Sequence, residues 1–229
     1  MSLVFPRLYA IMDGALLADS EPAFAKMLAE SGVELVQYRN KNSSSRILFD
    51  VSSQIAHELK GTSVRFIVND RTDVARLAGA GGVHVGQEDL PVEAAKVVCE
   101  AETKAARAKS DFWVGVSTHT LEQVRAAEAT SSDYIAVGPI YATATKEKPD
   151  GVVGVDFIRR ARTLTRKPLV AIGGITVERA AEVYRAGADC VAVARDLICA
   201  ADPAARAREY LAAAAKCCSA RGAEVLRAE

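Results

Sequence analysis

The stretch at residues 66–90 reads FIVNDRTDVARLAGAGGVHVGQEDL and contains one strand–helix–strand repeat. Phe66–Val68 and Val83–Val85 are short runs rich in β-branched and aromatic residues, and such runs predict strands. A helical pattern lies between them. An acidic residue follows each strand, Asp70 the first and Asp89 the second, 19 residues further along the chain. This spacing is that of one β–α unit, so the sequence predicts two neighbouring parallel strands with their acids at the same end.

The same alternation of short apolar runs and helical patterns extends along the whole chain. The eight predicted strands are Leu8–Met12, Leu35–Tyr38, Phe66–Val68, Val83–Val85, Trp113–Val116, Tyr134–Val137, Leu169–Ile172 and Cys190–Val193. Predicted helices include Glu21–Glu30, Ser45–Leu59, Leu121–Ala129 and Val177–Ala186. Strands that are apolar throughout are typical of a parallel sheet covered on both faces. Eight β–α units in 229 residues favour an α/β fold of the (β/α)8 (TIM) barrel type over an open doubly wound sheet.

Composition and charge narrow the classes of protein that this chain can belong to. Hydrophobic residues make up 50% of it, which excludes a disordered protein. Lys+Arg and Asp+Glu are balanced at 29 each, which argues against a nucleic-acid-binding surface. No run approaches the roughly 18–20 apolar residues that a membrane span requires. No linker divides the sequence, so residues 1–229 predict a single barrel domain with residues 201–229 as terminal helix and tail.

The cysteines indicate the compartment. Five cysteines are present without a CxxC pair or the spacing of a zinc site or a disulfide framework. Free cysteine behaves as a small buried hydrophobe, so the sequence predicts a reducing, cytoplasmic location. A homo-oligomer is compatible with the sequence.

The barrel prediction places the chemistry at one end of the molecule. Active sites of these barrels lie at the carboxyl ends of the strands. The residues that follow the predicted strands form a polar ring to which all eight strands contribute: Asp13, Gln37, Arg39, Lys41, Asn69, Asp70, Gln87, Asp89, Ser117, Thr143, Thr145, Lys146, Gly173, Gly174 and Ala194.

The segment QYRNK at residues 37–41 predicts an anion site. Gln37, Arg39 and Lys41 alternate, so they are expected to share one face of the strand and point into the barrel mouth. Two cations on one face suit a phosphate or a diphosphate, which Arg binds in bidentate fashion and Lys as a compact charge. The alternative is a solvated strand end with ordinary surface cations.

The two acids of the opening repeat predict a magnesium site. Adjacent parallel strands lie about 4.8 Å apart, so Asp70 and Asp89 can converge on one point. Mg²⁺ uses one or two protein carboxylates and completes its shell with phosphate and water. The alternative for Asp70 is an N-cap of the helix that begins near Arg71. His84 lies mid-strand, and its ring is expected either in the barrel core or against a bound ring.

Two glycine-containing segments suit phosphate oxygens. GPIYATATK at residues 138–146 provides hydroxyls and Lys146, and residues 138–154 form an unusually long loop that is a candidate lid. AIGGI at residues 171–175 has the form of a strand followed by a glycine turn and a helix start, a common anion cradle in barrels. A flexible surface loop and an ordinary tight turn are the alternatives. His57 and His119 are predicted to lie at the surface.

These motifs together resemble the thiamine-phosphate synthase (thiamine-phosphate pyrophosphorylase) family. The resemblance runs from LYAIMD near the start to GADCVAVARDL near the end, and it includes QYRNK, FIVNDRTDVA, GVHVGQEDLP, GVSTHT, GPIYATATK and AIGGI in the family's order. It implies an enzyme that joins hydroxymethylpyrimidine diphosphate to a thiazole phosphate, giving thiamine phosphate and pyrophosphate. Its partners would therefore be two small-molecule substrates, and its cofactor Mg²⁺.

The resemblance also implies roles for individual residues. Asp70 and Asp89 would bind Mg²⁺. The residues that would hold the pyrimidine diphosphate are Gln37, Tyr38, Arg39, Asn40, Lys41, Asn69, Ser117 and Lys146. Those that would act in catalysis are Arg39, Lys41, Ser117 and Lys146. The residues that would hold the thiazole phosphate are Thr143, Ala144, Thr145, Gly174, Ala194 and Arg195.

The chain departs from the family pattern at three places. Ala142 stands where the family usually has Pro, Ala194-Arg195 where it usually has Ile-Ser, and Met12 where it usually has Thr. Two other functions stay open: a thiazole tautomerase of the related barrel type, and a catalytically silent barrel that binds thiamine phosphate. Relatives with tautomerase activity lack the metal-binding acids and the diphosphate cations, which are present here.

Overall fold

Eight parallel strands close into a barrel in the computed structural model, which describes residues 5–17, 20–100, 111–143 and 151–225. Each strand pairs with the next along the chain, and β1 also pairs with β8, which confirms the predicted (β/α)8 fold. The strands are β1 (Leu8–Asp13), β2 (Leu35–Arg39), β3 (Arg65–Asn69), β4 (Gly82–Val85), β5 (Trp113–Thr118), β6 (Tyr134–Val137), β7 (Leu169–Ile172) and β8 (Cys190–Val193).

Helices cover the outside of the barrel. In the described ranges they are α1 (Glu21–Glu30), α2 (Ser45–Glu58), α3 (Thr72–Leu77), α4 (Val92–Glu100), α5 (Leu121–Glu128), α6 (Val155–Arg162), α7 (Val177–Arg185), α8 (Arg195–Ile198) and α9 (Pro203–Val225). The Ser44 side chain accepts a hydrogen bond from Ile47 N and so begins α2. Thr120 and Gln123 form a capping box at the start of α5. Among the residues described, no helix is long and apolar enough to cross a membrane.

Several strands extend further than the sequence predicts. Asp13, Arg39 and Asn69 are the last residues of β1, β2 and β3, whereas the prediction placed them just beyond the strands. Their side-chain directions are therefore fixed by the strand pleat, in which successive residues point to opposite faces. The difference arises because hydrogen bonding to the neighbouring strand, such as the pairing of Asp13 with Arg39, continues past the apolar run.

Alternate strand residues build two cores. One faces the helices and contains, for example, Val36 and Tyr38 of β2. The other fills the barrel interior and consists of Tyr9, Ile11, Leu35, Ile67, Tyr134, Ala136, Val170, Cys190 and Ala192. At the amino-terminal end of the barrel, Phe5 stacks on Trp113 with ring centroids 5.2 Å apart. The interior is thus closed by aromatic rings at one end and open to a polar mouth at the other.

The ring of Tyr134 occupies space that is available only because residue 115 is a glycine. A Cβ atom built on Gly115 of β5 would overlap with Cζ, Cε2 and the hydroxyl oxygen of Tyr134 on β6. Tyr134 is fully buried, so its ring has little freedom to move aside.

We expect Gly115→Ala to destabilise the protein by about 1–3 kcal/mol, because the added methyl group overpacks the barrel interior. Urea unfolding followed by circular dichroism measures this change. Gly151→Ala is the matched control, since a Cβ atom there meets no described atom within 4 Å. Equal stability of the two variants would contradict the packing argument.

Candidate active site

A cavity of about 380 Å³ opens at the carboxyl ends of the strands. All eight β–α units contribute to its lining, as the barrel prediction requires. The polar and glycine positions that line it, besides Tyr9 on its floor, are Asp13, Gln37, Arg39, Asn69, His84, Ser117, Thr118, His119, Gly138, Thr143, Gly173, Gly174, Thr176, Arg179, Arg195 and Asp196, and Ala194 lines it as well.

Arg39 enters this cavity already paired with a carboxylate. Its Nη1 donates to Oδ2 of Asp13, which is almost completely buried. The other oxygen of Asp13 accepts a hydrogen bond from Ala15 N at 3.0 Å. The sequence places both residues at the mouth but gives no sign that they pair. The ion pair orients the guanidinium toward the space that an anion would occupy.

Asp70 and Asp89 converge at the same mouth. Their carboxyl groups are in hydrogen-bonding contact, and Lys41 Nζ lies 3.1 Å from Oδ2 of Asp70. The orientation of the Asp89 carboxylate is fixed by a backbone hydrogen bond, in which Oδ2 accepts from Gly86 N at 2.7 Å. Burial raises the pKa of Asp70, and the neighbouring Asp89 raises it further, while Lys41 acts in the opposite direction. When both are ionised, the two carboxylates thus carry more negative charge than the single positive charge of Lys41 neutralises.

The backbone of Asp70 adopts a conformation that non-glycine residues rarely occupy. Its φ is 61°, in the left-handed region, and its N–H donates to the carbonyl of His84 at 2.8 Å. Such strain costs about 1–3 kcal/mol and is commonly found at functional sites. The N-cap position of α3 is occupied by Arg71, so the alternative that Asp70 caps this helix is wrong. The turn instead aims the carboxylate at Asp89.

The cavity lining does not include Lys41, Tyr38 or Asn40. Lys41 lies two residues beyond the end of β2, and its half-exposed side chain reaches Asp70 at the rim. Tyr38 faces the helices, where its hydroxyl donates to Glu21 Oε1 at 3.1 Å. Asn40 Nδ2 donates to that hydroxyl at 3.2 Å. The pleat turns the Tyr38 side chain outward, and Asn40 contacts it there. That these two residues hold the pyrimidine diphosphate stays a prediction.

The opposite wall of the cavity is formed by two glycines after β7. Gly173 and Gly174 have φ values of 101° and 61°, and a Cβ atom on Gly174 would overlap with the carbonyl oxygen of Ala142. These positions therefore require glycine for both conformation and space. Arg179 of α7 donates to the Gly174 carbonyl at 2.8 Å and stacks over the ring of Tyr141 at 4.5 Å. Arg179 was not predicted, because nothing in its helical sequence context distinguishes it from a surface cation.

Thr143, Ala194 and Arg195 line this same wall. Arg195 is the first residue of α8 and is exposed, so its guanidinium stands at the cavity edge. Ala144, Thr145 and Lys146, and with them part of the candidate lid at 138–154, lie outside the described residues.

The prediction that His119 is a surface residue is wrong. Its ring lines the cavity, with Nδ1 donating to the carbonyl of Gly138 at 2.7 Å. Its position directly after β5 is the signal that could have revealed this role, since chemistry in these barrels follows the strands.

A chain of buried hydrogen bonds crosses the floor of the cavity; we call its five residues, Gln37, Tyr9, Tyr134, His84 and Ser117, the floor chain. Gln37 Nε2 donates to the Tyr9 hydroxyl at 2.6 Å, and that hydroxyl lies 2.9 Å from the hydroxyl of Tyr134. His84 continues the chain, with Nδ1 3.1 Å from Tyr134 Oη and Nε2 2.9 Å from Ser117 Oγ. Tyr9 and Tyr134 were assigned to strands by sequence, but an apolar-looking strand gives no sign that two hydroxyls meet inside the barrel.

The two sequence-level alternatives for His84 are thus not exclusive. The ring lies inside the barrel, 5.6 Å from the ring of Tyr134, and it also lines the cavity.

The fold and this mouth define a (β/α)8-barrel protein with carboxylates and cations gathered at the carboxyl ends of its strands. Its sequence matches the family model described as thiamine monophosphate synthase over residues 8–197, and the chain belongs to that family.

Individual relatives agree with the family assignment. The chain is 46% identical over 215 residues to a thiamine-phosphate synthase of Koribacter versatilis, covering 91% of this chain and 96% of the relative. It is 38% identical over 204 residues to a thiamine-phosphate synthase of Methanospirillum hungatei, covering 89% and 95% of the two chains. Among solved structures, thiamine phosphate pyrophosphorylase from Pyrococcus furiosus superposes with a TM-score of 0.80 at 28% identity, covering 92% of this chain and 96% of the other.

We expect Asp89→Asn to lower the pKa of Asp70, because the substitution removes a neighbouring negative charge while asparagine still accepts the Gly86 N–H bond. A raised folded-state pKa means that Asp70 contributes stability below its unfolded pKa of about 3.9, and that this stability is lost as the pH rises through the raised value. An NMR titration of the Asp70 carboxyl carbon in metal-free buffer measures the change.

Asp73→Asn is the control for this titration, since Asp73 pairs with Arg71 at 2.6 Å on the outer side of α3. An Asp70 titration that is the same in the wild type and in Asp89→Asn would contradict the assigned coupling.

Proposed function

We propose that this chain joins 4-amino-2-methyl-5-hydroxymethylpyrimidine diphosphate to a thiazole phosphate, giving thiamine phosphate and pyrophosphate. The observation that carries the proposal is the meeting of Asp70, Asp89 and Lys41 beside a cavity that is lined by Arg39 and by Asn69, the residue before Asp70. The function that the relatives' names state is consistent with it.

The diphosphate is assigned to the side of the mouth formed by β2 to β5. Arg39 and Lys41 supply positive charge there, and Asn69 and Ser117 supply polar groups at the ends of β3 and β5. Cations with fixed positions stabilise a leaving diphosphate more than they stabilise the bound ground state, because negative charge increases as the C–O bond breaks. The sequence resemblance assigns Lys146 to the same role, which is to stabilise the negative charge of the leaving diphosphate.

Asp70 and Asp89 fit a magnesium ion. Burial raises the pKa of Asp70 and the negative charge of Asp89 raises it further, and a divalent cation would favour the ionised form of both acids. Among the residues that the structure describes, no group of three or more His, Cys, Asp or Glu could hold a metal. Two carboxylates suffice for Mg²⁺ when phosphate oxygens and water complete its shell. When bound, the ion would neutralise charge on the diphosphate. Lys41 would then be released from Asp70 toward the same anion.

The thiazole phosphate is assigned to the opposite wall. Gly174 and the backbone near Ala194 leave room for phosphate oxygens, and Thr143 adds a hydroxyl. Arg195 replaces the serine that the family usually has, and a guanidinium there pairs with the phosphate directly. The two substrates therefore face each other across a cavity of about 380 Å³.

The protein's side chains bind the two substrates and neutralise the charge of the departing diphosphate. They need not transfer a proton to start the reaction. The aminopyrimidine can delocalise the positive charge that remains when the diphosphate departs, so the thiazole nitrogen needs positioning more than activation. Each electrostatic contact to the leaving group lowers the barrier by about 2.7–4 kcal/mol.

We also propose a cellular location for this activity from the state of the cysteines. Cys99, Cys190, Cys199 and Cys217 are free thiols in the described part of the chain. Free thiols are typical of a reducing environment, so we assign the activity to the cytoplasm.

We expect the purified protein to form thiamine phosphate and pyrophosphate from the two substrates only when Mg²⁺ is present. Asp89→Ala should raise the Mg²⁺ concentration needed for half-maximal rate by at least about tenfold, the loss seen even for outer-shell metal partners. A coupled assay of pyrophosphate release over a Mg²⁺ series measures both effects.

Asp50→Ala is the control for the metal assay, because Asp50 pairs with Arg46 on the exposed face of α2. Isomerisation of the thiazole without condensation would favour the tautomerase function. Tight binding of thiamine phosphate without turnover would favour a binding-only barrel, and either result would overturn the proposal.

We expect a single substitution on either wall to alter the KM for only one of the two substrates. Arg39→Ala should raise the KM for the pyrimidine diphosphate, and Arg195→Ala should raise the KM for the thiazole phosphate, each by about tenfold or more because one charged hydrogen-bonding partner is lost. Steady-state kinetics with each substrate varied in turn measures the changes, and each variant is the control for the other. The assignment of the walls fails if both variants alter the same KM.

A further inference from the structure

The terminal helix α9 reaches the wall of the cavity that is assigned to the thiazole phosphate. Tyr210 of α9 is fully buried and does not itself line the cavity. Its hydroxyl donates to the carbonyl of Ile175 at 3.0 Å and to Oδ2 of Asp196 at 2.7 Å. Ile175 follows β7 and Asp196 belongs to α8, so this one phenol joins the two segments that follow the last two strands.

The glycine turn after β7 is held by side chains at two successive carbonyls. Arg179 Nη1 donates to the carbonyl of Gly174 at 2.8 Å, and Tyr210 donates to that of Ile175. A trans peptide places its N–H opposite its C=O, so these bonds also direct the N–H groups of Ile175 and Thr176. Both residues line the cavity, and neither N–H has a hydrogen-bond partner in the described part of the chain. The turn is thus fixed through its carbonyls, which leaves two donors for a ligand.

Asp196 is a feature of this wall that the proposed chemistry does not use. It lines the cavity beside Arg195, where an ionised carboxylate repels a phosphate. Its Oδ2 is turned to α9, where Tyr210 donates to it and Arg206 Nη1 lies 3.7 Å away. Arg195 itself forms no ion pair with another described residue. Two side chains of α9 therefore hold the carboxylate and offset its charge, and the cation of Arg195 stays available to the phosphate.

We propose that Tyr210 is a positioning residue for the thiazole phosphate and that α9 is therefore part of this binding site. Its hydroxyl sets the distance between the turn after β7 and the start of α8, the two segments to which the phosphate is assigned. This inference rests on the proposed function, which places the thiazole phosphate at this wall. Tyr210 touches neither substrate, and it acts through Ile175 and Asp196.

The surroundings of Tyr210 suit a link of fixed length. Its single proton is shared between two acceptors, a three-centre arrangement that is common near helix termini. Burial raises the pKa of Tyr210, and the Asp196 carboxylate raises it further, so the hydroxyl keeps this proton at neutral pH. The ring packs in the core that faces the helices, and it cannot shift without opening that core.

The bonds of Tyr210 reach only one of the two cavity walls. Arg39 and Asn69, which line the diphosphate side, are the last residues of β2 and β3. Ile175 and Asp196 follow β7 and β8. A general loss of stability would weaken the binding of both substrates alike, whereas loss of this link is expected to weaken the binding of the thiazole phosphate alone.

The direct test is the binding of each substrate separately to the full-length protein, measured by titration calorimetry. Tyr210→Phe removes the hydroxyl and keeps the ring. We expect the Kd for the thiazole phosphate to rise about tenfold, the loss typical of a hydrogen bond to a charged group, and the Kd for the pyrimidine diphosphate to stay the same. An unchanged Kd for the thiazole phosphate, or an equal rise for both substrates, would overturn the inference even if the wild-type protein is an active synthase.

Amide hydrogen exchange tests the link in the protein without substrate. Ala180 N donates to the Thr176 carbonyl at 3.0 Å at the start of α7, and Ile198 N donates to the Ala194 carbonyl at 2.9 Å at the start of α8. In Tyr210→Phe both amides should exchange about fivefold faster or more, because the hydroxyl no longer opposes the opening of either segment. Faster exchange of one amide alone, or of neither, would show that the hydroxyl does not join the two segments.

Asp196→Ala breaks the same link from its other end and serves if Tyr210→Phe does not fold. The substitution lies in α8, and it should still speed exchange of the Ala180 amide in α7. In a double-mutant cycle, Tyr210→Phe should raise the Kd for the thiazole phosphate less in the Asp196→Ala background than in the wild type. Equal effects in the two backgrounds would mean that the residues act independently, and the inference would be wrong.

Tyr184→Phe is the matched control. Tyr184 is a buried tyrosine of α7 whose hydroxyl donates to the carbonyl of Arg7 at 2.8 Å, at the amino-terminal end of the barrel. It should alter neither the exchange of the Ala180 and Ile198 amides nor the binding of either substrate. Equal effects of the two tyrosine variants would reduce Tyr210 to a structural residue and overturn the inference. An inactive wild-type protein that binds the thiazole phosphate in a Tyr210-dependent way would refute the proposed synthase function alone.

Discussion

The closure of the parallel barrel is the constraint on which the rest of the structure depends. β1 pairs with β2 on one side and with β8 on the other, so the carboxyl ends of all eight strands meet around one opening. In each strand the pleat then decides which side chains enter the interior. Without the pairing of β1 with β8, Arg195 and Arg39 would not line the same cavity.

The mouth concentrates charges that do not cancel locally. Arg39 is matched by Asp13, but Asp70 and Asp89 share one lysine and repel each other. The fold tolerates this repulsion, and the left-handed backbone at Asp70, because hydrogen bonds to Gly86 N and the His84 carbonyl hold the two segments. Backbone strain at such a point is common in functional sites, in line with the function proposed for this mouth.

The barrel interior is divided between apolar and polar layers. Toward the amino-terminal end, aromatic and aliphatic side chains exclude water, as the stacking of Phe5 on Trp113 shows. Toward the mouth, the floor chain replaces apolar contact with hydrogen bonds whose donors and acceptors are paired. Because the surroundings of these bonds have low polarity, a group of the floor chain left without a hydrogen-bond partner would be costly.

The sequence by itself determined the fold and most of the strand-end residues at the mouth, because both can be read from hydrophobic periodicity and the spacing of the β–α units. It therefore predicted that Asp70 and Asp89 converge. The tertiary structure alone decided that Arg39 pairs with Asp13, that His119 bonds to the Gly138 carbonyl, and that hydroxyls from β1 and β6 meet beneath the site. These contacts join residues 19 to 125 positions apart in the chain, and no local pattern encodes a distance across a closed barrel.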